Sequence, residues 1–401
     1  MGGETVAYLA ACGRRRQIAL SPLFVAETAT AVAAVRRRWL PGLPALSVRH
    51  CHAEERGSVI RRKMENIFRA TRILQWVQIL PEEARLLCLR NFMLEEDPMR
   101  ALSALALATT LIWGGVASAE RLTDQPLVDA AWLQQHLDNE SLVVLDIRDV
   151  VQNANPYEQG HIPGAVSAPY SSAGWRTEVQ GVPGQLPPLE QIQALIGNLG
   201  IDNDAHVVIV PSGTDSSEFG GATRIYWTFK TLGHDAVSIL DGGWRGWQAA
   251  SGEVSADPVK REPKQFLAKI RDEYLATTAD VEKALQDGVK LVDGRPVDQY
   301  EGKAKSPVVR AAGTIPGSAN IPHSKFYDAE KGRFATREEI EVLAREAGLG
   351  LDEDIITFCN TGHWASIPWF ALSEVAGNKK TRMYDGSMAE WAADPSRPLQ
   401  Y

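Results

Sequence analysis

Cysteine is scarce in this 401-residue chain: there are four, Cys12, Cys51, Cys88 and Cys359. Three of them precede residue 120, so the body of the chain holds a single thiol. A lone thiol cannot form an internal disulfide and has no partner for a CxxC metal site. It also leaves no resolving cysteine for dithiol oxidoreductase chemistry within one chain. No cluster of ligating residues is apparent, so neither a metal nor an organic cofactor is expected. Basic residues are also in short supply. From residue 120 onward there are 26 Lys+Arg against 40 Asp+Glu, a net charge of −14, whereas residues 1–119 carry 16 against 10, a net of +6. An acidic body argues against nucleic acid as a partner, because nothing in it would neutralise a run of phosphates. The remaining composition, 44% apolar and 23% charged, is that of an ordinary globular protein. Its length exceeds what one core organises, so two domains are expected.

Long apolar runs are nearly absent, and the exception is informative. Met99–Ala119 opens with one positive charge at Arg100, continues through an apolar run of about 16 residues, and ends in Ala117-Ser118-Ala119. This pattern predicts a secretory signal peptide cleaved before Glu120. No cysteine stands there for lipoprotein processing. The competing reading, an uncleaved anchor, suffers from a run shorter than the roughly 20 residues that span a bilayer. A leader belongs at the start of a protein, so Met99 is expected to be the true start and residues 1–98 a non-native upstream or disordered extension. Their Arg triplets at 14–16 and 36–38 carry no recognisable motif. Export across the inner membrane to the periplasm follows, with no stable membrane insertion after cleavage.

The body then repeats itself. A helical segment at Asp129–Leu137 precedes an apolar strand, Leu142–Leu145, that ends in Asp146-Ile147-Arg148. The second copy has a helical Thr277–Leu285 and a strand ending in Val292-Asp293-Gly294-Arg295. The turn Gly160-His161-Ile162-Pro163-Gly164-Ala165 matches Gly313-Thr314-Ile315-Pro316-Gly317-Ser318, and the strand Val207–Val210 matches Ile355–Phe358. Asp241-Gly242-Gly243 matches Asp385-Gly386-Ser387. Paired aspartates are 147 residues apart at the first strand and 144 apart at the last. Short β-rich runs alternating with helices predict an α/β fold of two similar domains, each a parallel sheet flanked by helices. Their expected bounds are 120–250 and 276–401, with a Pro-containing linker over 251–275.

The thiol of the body sits where such a sheet places its ligands, outside the carboxyl end of a strand. Ile355–Phe358 is followed by Cys359-Asn360-Thr361-Gly362-His363-Trp364-Ala365, and an amphipathic helix is expected through Trp369, Phe370 and Leu372. A loop of this kind turns backbone N–H groups inward, and the helix dipole adds positive potential. Both favour a thiolate over a thiol and would equally hold the added sulfur of a persulfide. The spacing alone leaves a buried structural cysteine open as the alternative.

The tandem units, the HIPGA-type turn and the Cys-x-x-Gly-x-x loop resemble the rhodanese and mercaptopyruvate sulfurtransferase family, over nearly all of residues 120–401. The resemblance implies that Cys359 takes a sulfane sulfur from a small anionic donor and passes it to a thiophilic acceptor: cyanide, a thiol or a partner protein's cysteine. It implies a catalytically silent first domain, in keeping with Val210-Pro211-Ser212-Gly213 at the equivalent strand end. The loop residues Asn360 to Ala365 become the active-site loop. Asn360 departs from the basic residue common in thiosulfate-preferring members. Thr361 keeps a hydroxyl where mercaptopyruvate-preferring members have serine, and Gln299 stands where a second arginine is frequent. The donor, thiosulfate or 3-mercaptopyruvate, therefore stays open.

Cations that could meet an anionic donor are Arg176, Arg295, Lys303, Lys305 and Arg310, with Arg176 and Arg295 favoured. His363, four residues from Cys359, is a poor base for it. His161, Asp146, Asp293, Asp241 and Asp385 read as structural. Phosphatases of the same fold need Cys-x5-Arg, and Ala365 occupies the arginine position. The rival from another class is a non-catalytic sulfur-binding or protein-interaction module.

One test follows. Mass spectrometry of the native protein is expected to find an N-terminus at Glu120, and peptides from before Met99 would overturn the leader assignment.

Overall fold

The structure is a computed structural model, and it describes residues 121–401. The expected leader and the extension before it lie outside these residues. Seven short strands form in the first half: β1 (Leu127–Val128), β2 (Leu142–Asp146), β3 (Val166–Ser167), β4 (Thr177–Val179), β5 (Val182–Gln185), β6 (His206–Val210) and β7 (Val237–Leu240). Seven more follow in the second: β8 (Leu275–Ala276), β9 (Lys290–Asp293), β10 (Ala319–Asn320), β11 (Tyr327–Asp328), β12 (Arg333–Phe334), β13 (Ile355–Phe358) and β14 (Thr381–Tyr384). The order β1-β7-β6-β2-β3 in one sheet reappears as β8-β14-β13-β9-β10 in the other, and every pairing in both is parallel. The repeat legible in the sequence is thus a repeat of topology. β4 and β5, like β11 and β12, form small antiparallel hairpins.

The central strands β2, β6 and β13 are largely apolar because both faces of each sheet are covered. β2, β6 and β13 are buried at every position. Helix starts follow local chemistry. Asp129 accepts the Trp132 N–H at 2.7 Å, and Thr277 with Asp280 forms a reciprocal capping box.

One apolar core belongs to both domains. It runs from Val143, Ile196 and Phe219 in the first to Phe334, Ile340 and Phe370 in the second, while each domain keeps a smaller core on its outer side. The shared core explains a departure from expectation. The helix after Cys359, Ser366–Trp369 continuing as a wider π-helical turn over Phe370–Val375, is not amphipathic but buried on nearly every side. It is pressed between its own sheet and the Ser216–Thr231 helix of the first domain, to which Ser366 Oγ is hydrogen-bonded through Thr223 Oγ1 at 2.7 Å. The connecting segment is equally committed. Its Phe266 enters the shared core, and Lys264, Lys269 and Arg271 donate backbone N–H groups to Gly197, Leu232 and Thr231 of the first domain.

At the end of β9, Arg295 grips Asp293 through Nε at 2.9 Å and Nη2 at 2.6 Å, and Nη2 also reaches the Gly313 carbonyl at 2.9 Å. Arg148 does the same to Asp146 and Gly160 at the end of β2. Each fork ties a strand end to the following turn. Removing one partner strands a buried charge. Arg295→Met is expected to lower unfolding stability by about 3–5 kcal/mol in urea titrations, and a loss of under about 1 kcal/mol would show that the fork is dispensable.

Candidate active site

Cys359 follows β13 directly, is 1% exposed, and is the one cysteine among the described residues, unbridged. It lies in the wall of a cavity of about 680 Å³ to which both domains contribute. The loop after it is fixed from behind. Ser387 Oγ accepts the N–H of Cys359 at 3.0 Å and of Gly362 at 3.1 Å, and donates to the Tyr384 carbonyl at 2.9 Å. The carbonyls of Cys359 and Asn360 accept from the amides of Met388 and Ala389. In contrast, the amides of Asn360, Thr361, His363 and Trp364 donate to no protein atom among the described residues. A loop held by its carbonyls and two amides thus keeps four N–H groups available for an anion.

Gly362 is required at its position. Its φ is +74°, and a Cβ there would fall 2.6 Å from Asp385 Oδ1. The space is taken by Arg224, from the Ser216–Thr231 helix, whose Nη1 donates to the Gly362 carbonyl at 3.2 Å and to Asp385 Oδ1. Asp385 Oδ2 accepts the Leu186 N–H at 2.7 Å, so this aspartate joins the two domains as well as ending a strand.

The first domain also supplies Arg176. Its Nε donates to the Gly184 carbonyl at 2.9 Å, and its Nη2 to Thr361, at the carbonyl and at Oγ1, the latter 2.9 Å away. His363 has both ring nitrogens occupied. Its Nε2 faces the Ser217 carbonyl at 2.9 Å and so carries the proton, while Nδ1 accepts from the Tyr170 hydroxyl at 2.8 Å. Burial foremost holds the Tyr170 hydroxyl above its ordinary range, keeping it a donor. Burial foremost, aided by the Arg176 charge, lowers His363 to about 3. The imidazole is neutral and has no nitrogen free to take a proton from Cys359. Trp364 donates to Ser217 Oγ at 2.8 Å and stacks on His323 at 4.5 Å. Asn360 Nδ2 donates to Gln299 Oε1 at 2.9 Å.

The structure thus brings Cys359, Asn360, Thr361, His363, Trp364 and Arg176 to one cavity, with Gly362 and Ala365 buried behind it. It does not bring Arg295, which is 0% exposed and engaged with Asp293. Arg295 is a fold-holding residue and not a contact for a donor. Lys305 donates to the Val309 carbonyl at 3.0 Å, Lys303 pairs with Glu301, and neither they nor Arg310 line the cavity. Ser306 and Val308 of that segment do. Arg224, Ser387, Tyr170 and Ser217 were not singled out from the sequence. Ser387 had a signal: its counterpart in the repeat is Gly243, and both adopt a left-handed φ, +50° and +56°. Arg224 had one too, as a charge inside the otherwise uncharged Phe219–Phe229 stretch.

The equivalent loop of the first domain is closed off. At the end of β6 the carbonyls of Pro211 and Ser212 accept from Trp244 and Arg245, mirroring the loop of Cys359. There, however, the amides of Ser212 and Gly213 are taken by the Glu218 carboxylate, Gly213 at 2.9 Å from Oε2.

The rhodanese-like domain model matches residues 129–250 and 277–394, and the chain belongs to that family. A "Putative thiosulfate sulfurtransferase" of Mycolicibacterium smegmatis is 31% identical over 281 residues, covering 68% of this chain and 97% of the relative. One of the same name from Haloferax volcanii is 31% identical over 289 residues, covering 68% and 96%. The 3-mercaptopyruvate sulfurtransferase SseA of Escherichia coli superposes with a TM-score of 0.56 at 26% identity, over 66% of this chain and 98% of that one. An anaerobic ergothioneine biosynthesis enzyme from Chlorobium limicola, solved with trimethyl histidine, gives 0.59 at 25% identity over 69% and 70%. Within the family these relatives place the chain with the sulfurtransferases.

His363 yields a pH prediction. Its ring regains an ordinary value near 6.5 on unfolding, so below that pH the unfolded chain binds the extra proton. Stability therefore drains away as pH falls from 6.5 toward about 3. His363→Gln is expected to lose less stability over that window than the parent in urea titrations at stepped pH. Parallel curves would mean that the ring titrates freely in the native state.

Proposed function

We propose that the protein carries sulfur on Cys359 as a persulfide, taken from thiosulfate or 3-mercaptopyruvate and delivered to a thiophilic acceptor. The observation that carries this reading is the set of loop amides, on Asn360, Thr361, His363 and Trp364, without a protein acceptor beside a lone thiol at a strand end. With thiosulfate, the Cys359 thiolate attacks the outer sulfur, an S–S bond forms at Sγ, and the bond to the sulfonate sulfur breaks. Sulfite leaves with the electron pair. The negative charge then rests on the outer sulfur, where the amides stabilise it. An acceptor attacks that sulfur next, the Sγ–S bond breaks, and its electron pair restores the thiolate. No external oxidant or reductant enters. Arg176 and Arg224 hold the loop through the carbonyls of Thr361 and Gly362, so that its amides need not reorganise as the sulfur arrives. The periplasmic location expected from the leader forms part of the same proposal.

Intact mass of the mature protein after exposure to each donor is the direct test. A gain of one sulfur atom, removed by cyanide and absent in Cys359→Ser, is expected. A Cys359→Ser variant that still transfers sulfur, or a parent that gains none, would turn the interpretation toward a binding module.

A further inference from the structure

Three consecutive residues in the first turn of the Ser216–Thr231 helix divide their side chains between the two domains. Ser216 Oγ meets His323 Nδ1 of the second domain at 2.9 Å, and the His323 ring stacks on Trp364. Ser217 holds the Cys359 loop itself, through its carbonyl to His363 Nε2 and its hydroxyl to Trp364 Nε1. His363 and Trp364 carry two of the four loop amides that have no protein acceptor among the described residues. The fit is close: a Cβ on Gly220 of the same helix would lie 3.1 Å from His363 Nε2. Glu218 turns the opposite way, into its own domain. Its Oε1 accepts the Ser212 N–H at 2.5 Å and its Oε2 the Gly213 N–H at 2.9 Å. Those two residues are themselves fastened, Ser212 through its carbonyl to Arg245 N–H and Gly213 through its carbonyl to the Tyr327 hydroxyl at 3.1 Å. Asp215 caps the turn by accepting the Ser217 and Glu218 amides on Oδ1, but it belongs to the connection between β6 and the helix. The Glu218 carboxylate is what binds the turn back to the end of β6.

Building on the persulfide reading above, we propose that Glu218 is a positioning residue for sulfur transfer: from the domain without a thiol, and through Ser217, it sets where the amides of the Cys359 loop point. Charge-assisted hydrogen bonds from two fixed amides hold a carboxylate firmly. A helix turn anchored by that carboxylate gives Ser217 a fixed place from which to hold His363 and Trp364. Donors aimed at developing charge stabilise it only when they are placed in advance. The occupied cradle of the first domain thereby acts as the mount of the vacant one in the second. Glu218 also lines the cavity of Cys359, and a carboxylate there repels anions. Positioning and repulsion predict opposite consequences for its removal.

Cys359 is the only thiol from residue 120 onward, so its alkylation in the mature protein can be followed by intact mass. Rates with anionic iodoacetate and neutral iodoacetamide are compared in the parent and in Glu218→Ala. Amides aimed at the thiol attract the carboxylate of the first reagent, and the rate ratio therefore reports their placement. In Glu218→Ala the iodoacetate-to-iodoacetamide ratio is expected to fall by about three-fold, and sulfur loading from thiosulfate to slow by about ten-fold. Loss of a negative charge from the cavity wall would by itself raise both. Acetate has the atoms that the substitution removes, and it should recover most of each loss relative to the parent in the same buffer. Neutral acetamide and equal chloride should not. A ratio that holds or rises in Glu218→Ala, or a loss that acetate leaves unrepaired, would overturn the inference. Should Glu218→Ala fail to fold, Glu218→Gln takes its place, since it keeps the bulk but offers one acceptor to two amides. A fall in the ratio is again expected there, and no fall would overturn the role. A parent that takes no sulfur while its alkylation ratio falls in the variants would instead sink the persulfide reading and leave the placement by Glu218 standing.

Discussion

A loop whose amides are left without protein acceptors cannot use them to hold itself in shape. That constraint organises the structure around Cys359. Rigidity has to come through the loop's carbonyls and from outside, and nearly every group that supplies it lies elsewhere in the chain. Ser387 pins two amides from the last turn of the second domain. Arg224 and Arg176 reach across from the first domain to the carbonyls of Gly362 and Thr361. His363 and Trp364 are moored to Ser217. The first domain contributes no thiol, yet the loop would be slack without it.

The apolar arrangement serves the same end. Charge-assisted hydrogen bonds from a neighbouring domain hold a loop only if that domain cannot drift. The shared core, with the Ser216–Thr231 helix packed on the helix that follows Cys359, removes this freedom. Phe266 and the backbone bonds of the connecting segment remove more of it. The result is one mechanical body assembled from two copies of a single topology.

Much of this is legible in the sequence. Parallel-sheet strands that are buried on both faces read as apolar runs, and their ends are marked by Asp146, Asp293, Asp241 and Asp385. The repeat supplies a second witness for each element, and the Cys359 loop announces itself by standing at a strand end. What stays hidden depends on which faces meet. The burial of the helix through Trp369 and Phe370 reflects a neighbouring helix whose Thr223 is 143 residues away from Ser366 in sequence, and no local periodicity reports it. Arg295 misleads for a related reason. An arginine two residues after a strand-end aspartate can face a ligand or fold back onto that aspartate, and only the turn at Gly313 decides. The repeat holds the answer in part, since Arg148 occupies the same place in a domain without a thiol. Ser387 could have been found by asking where the two copies differ: a glycine in the copy without a thiol is a hydroxyl in the other.

Glu218 closes the thiol-free half in a way that its missing cysteine alone does not. Its carboxylate occupies the Ser212 and Gly213 amides as a permanent tenant. A thiol introduced by Pro211→Cys would find the two amides that follow it already filled, by a group that the same chain delivers at fixed and very high effective concentration. Opening that cradle would thus need two coordinated changes, eviction of the carboxylate as well as replacement of the proline. The asymmetry between the halves is therefore built in twice, once by the missing thiol and once by the carboxylate that fills its loop.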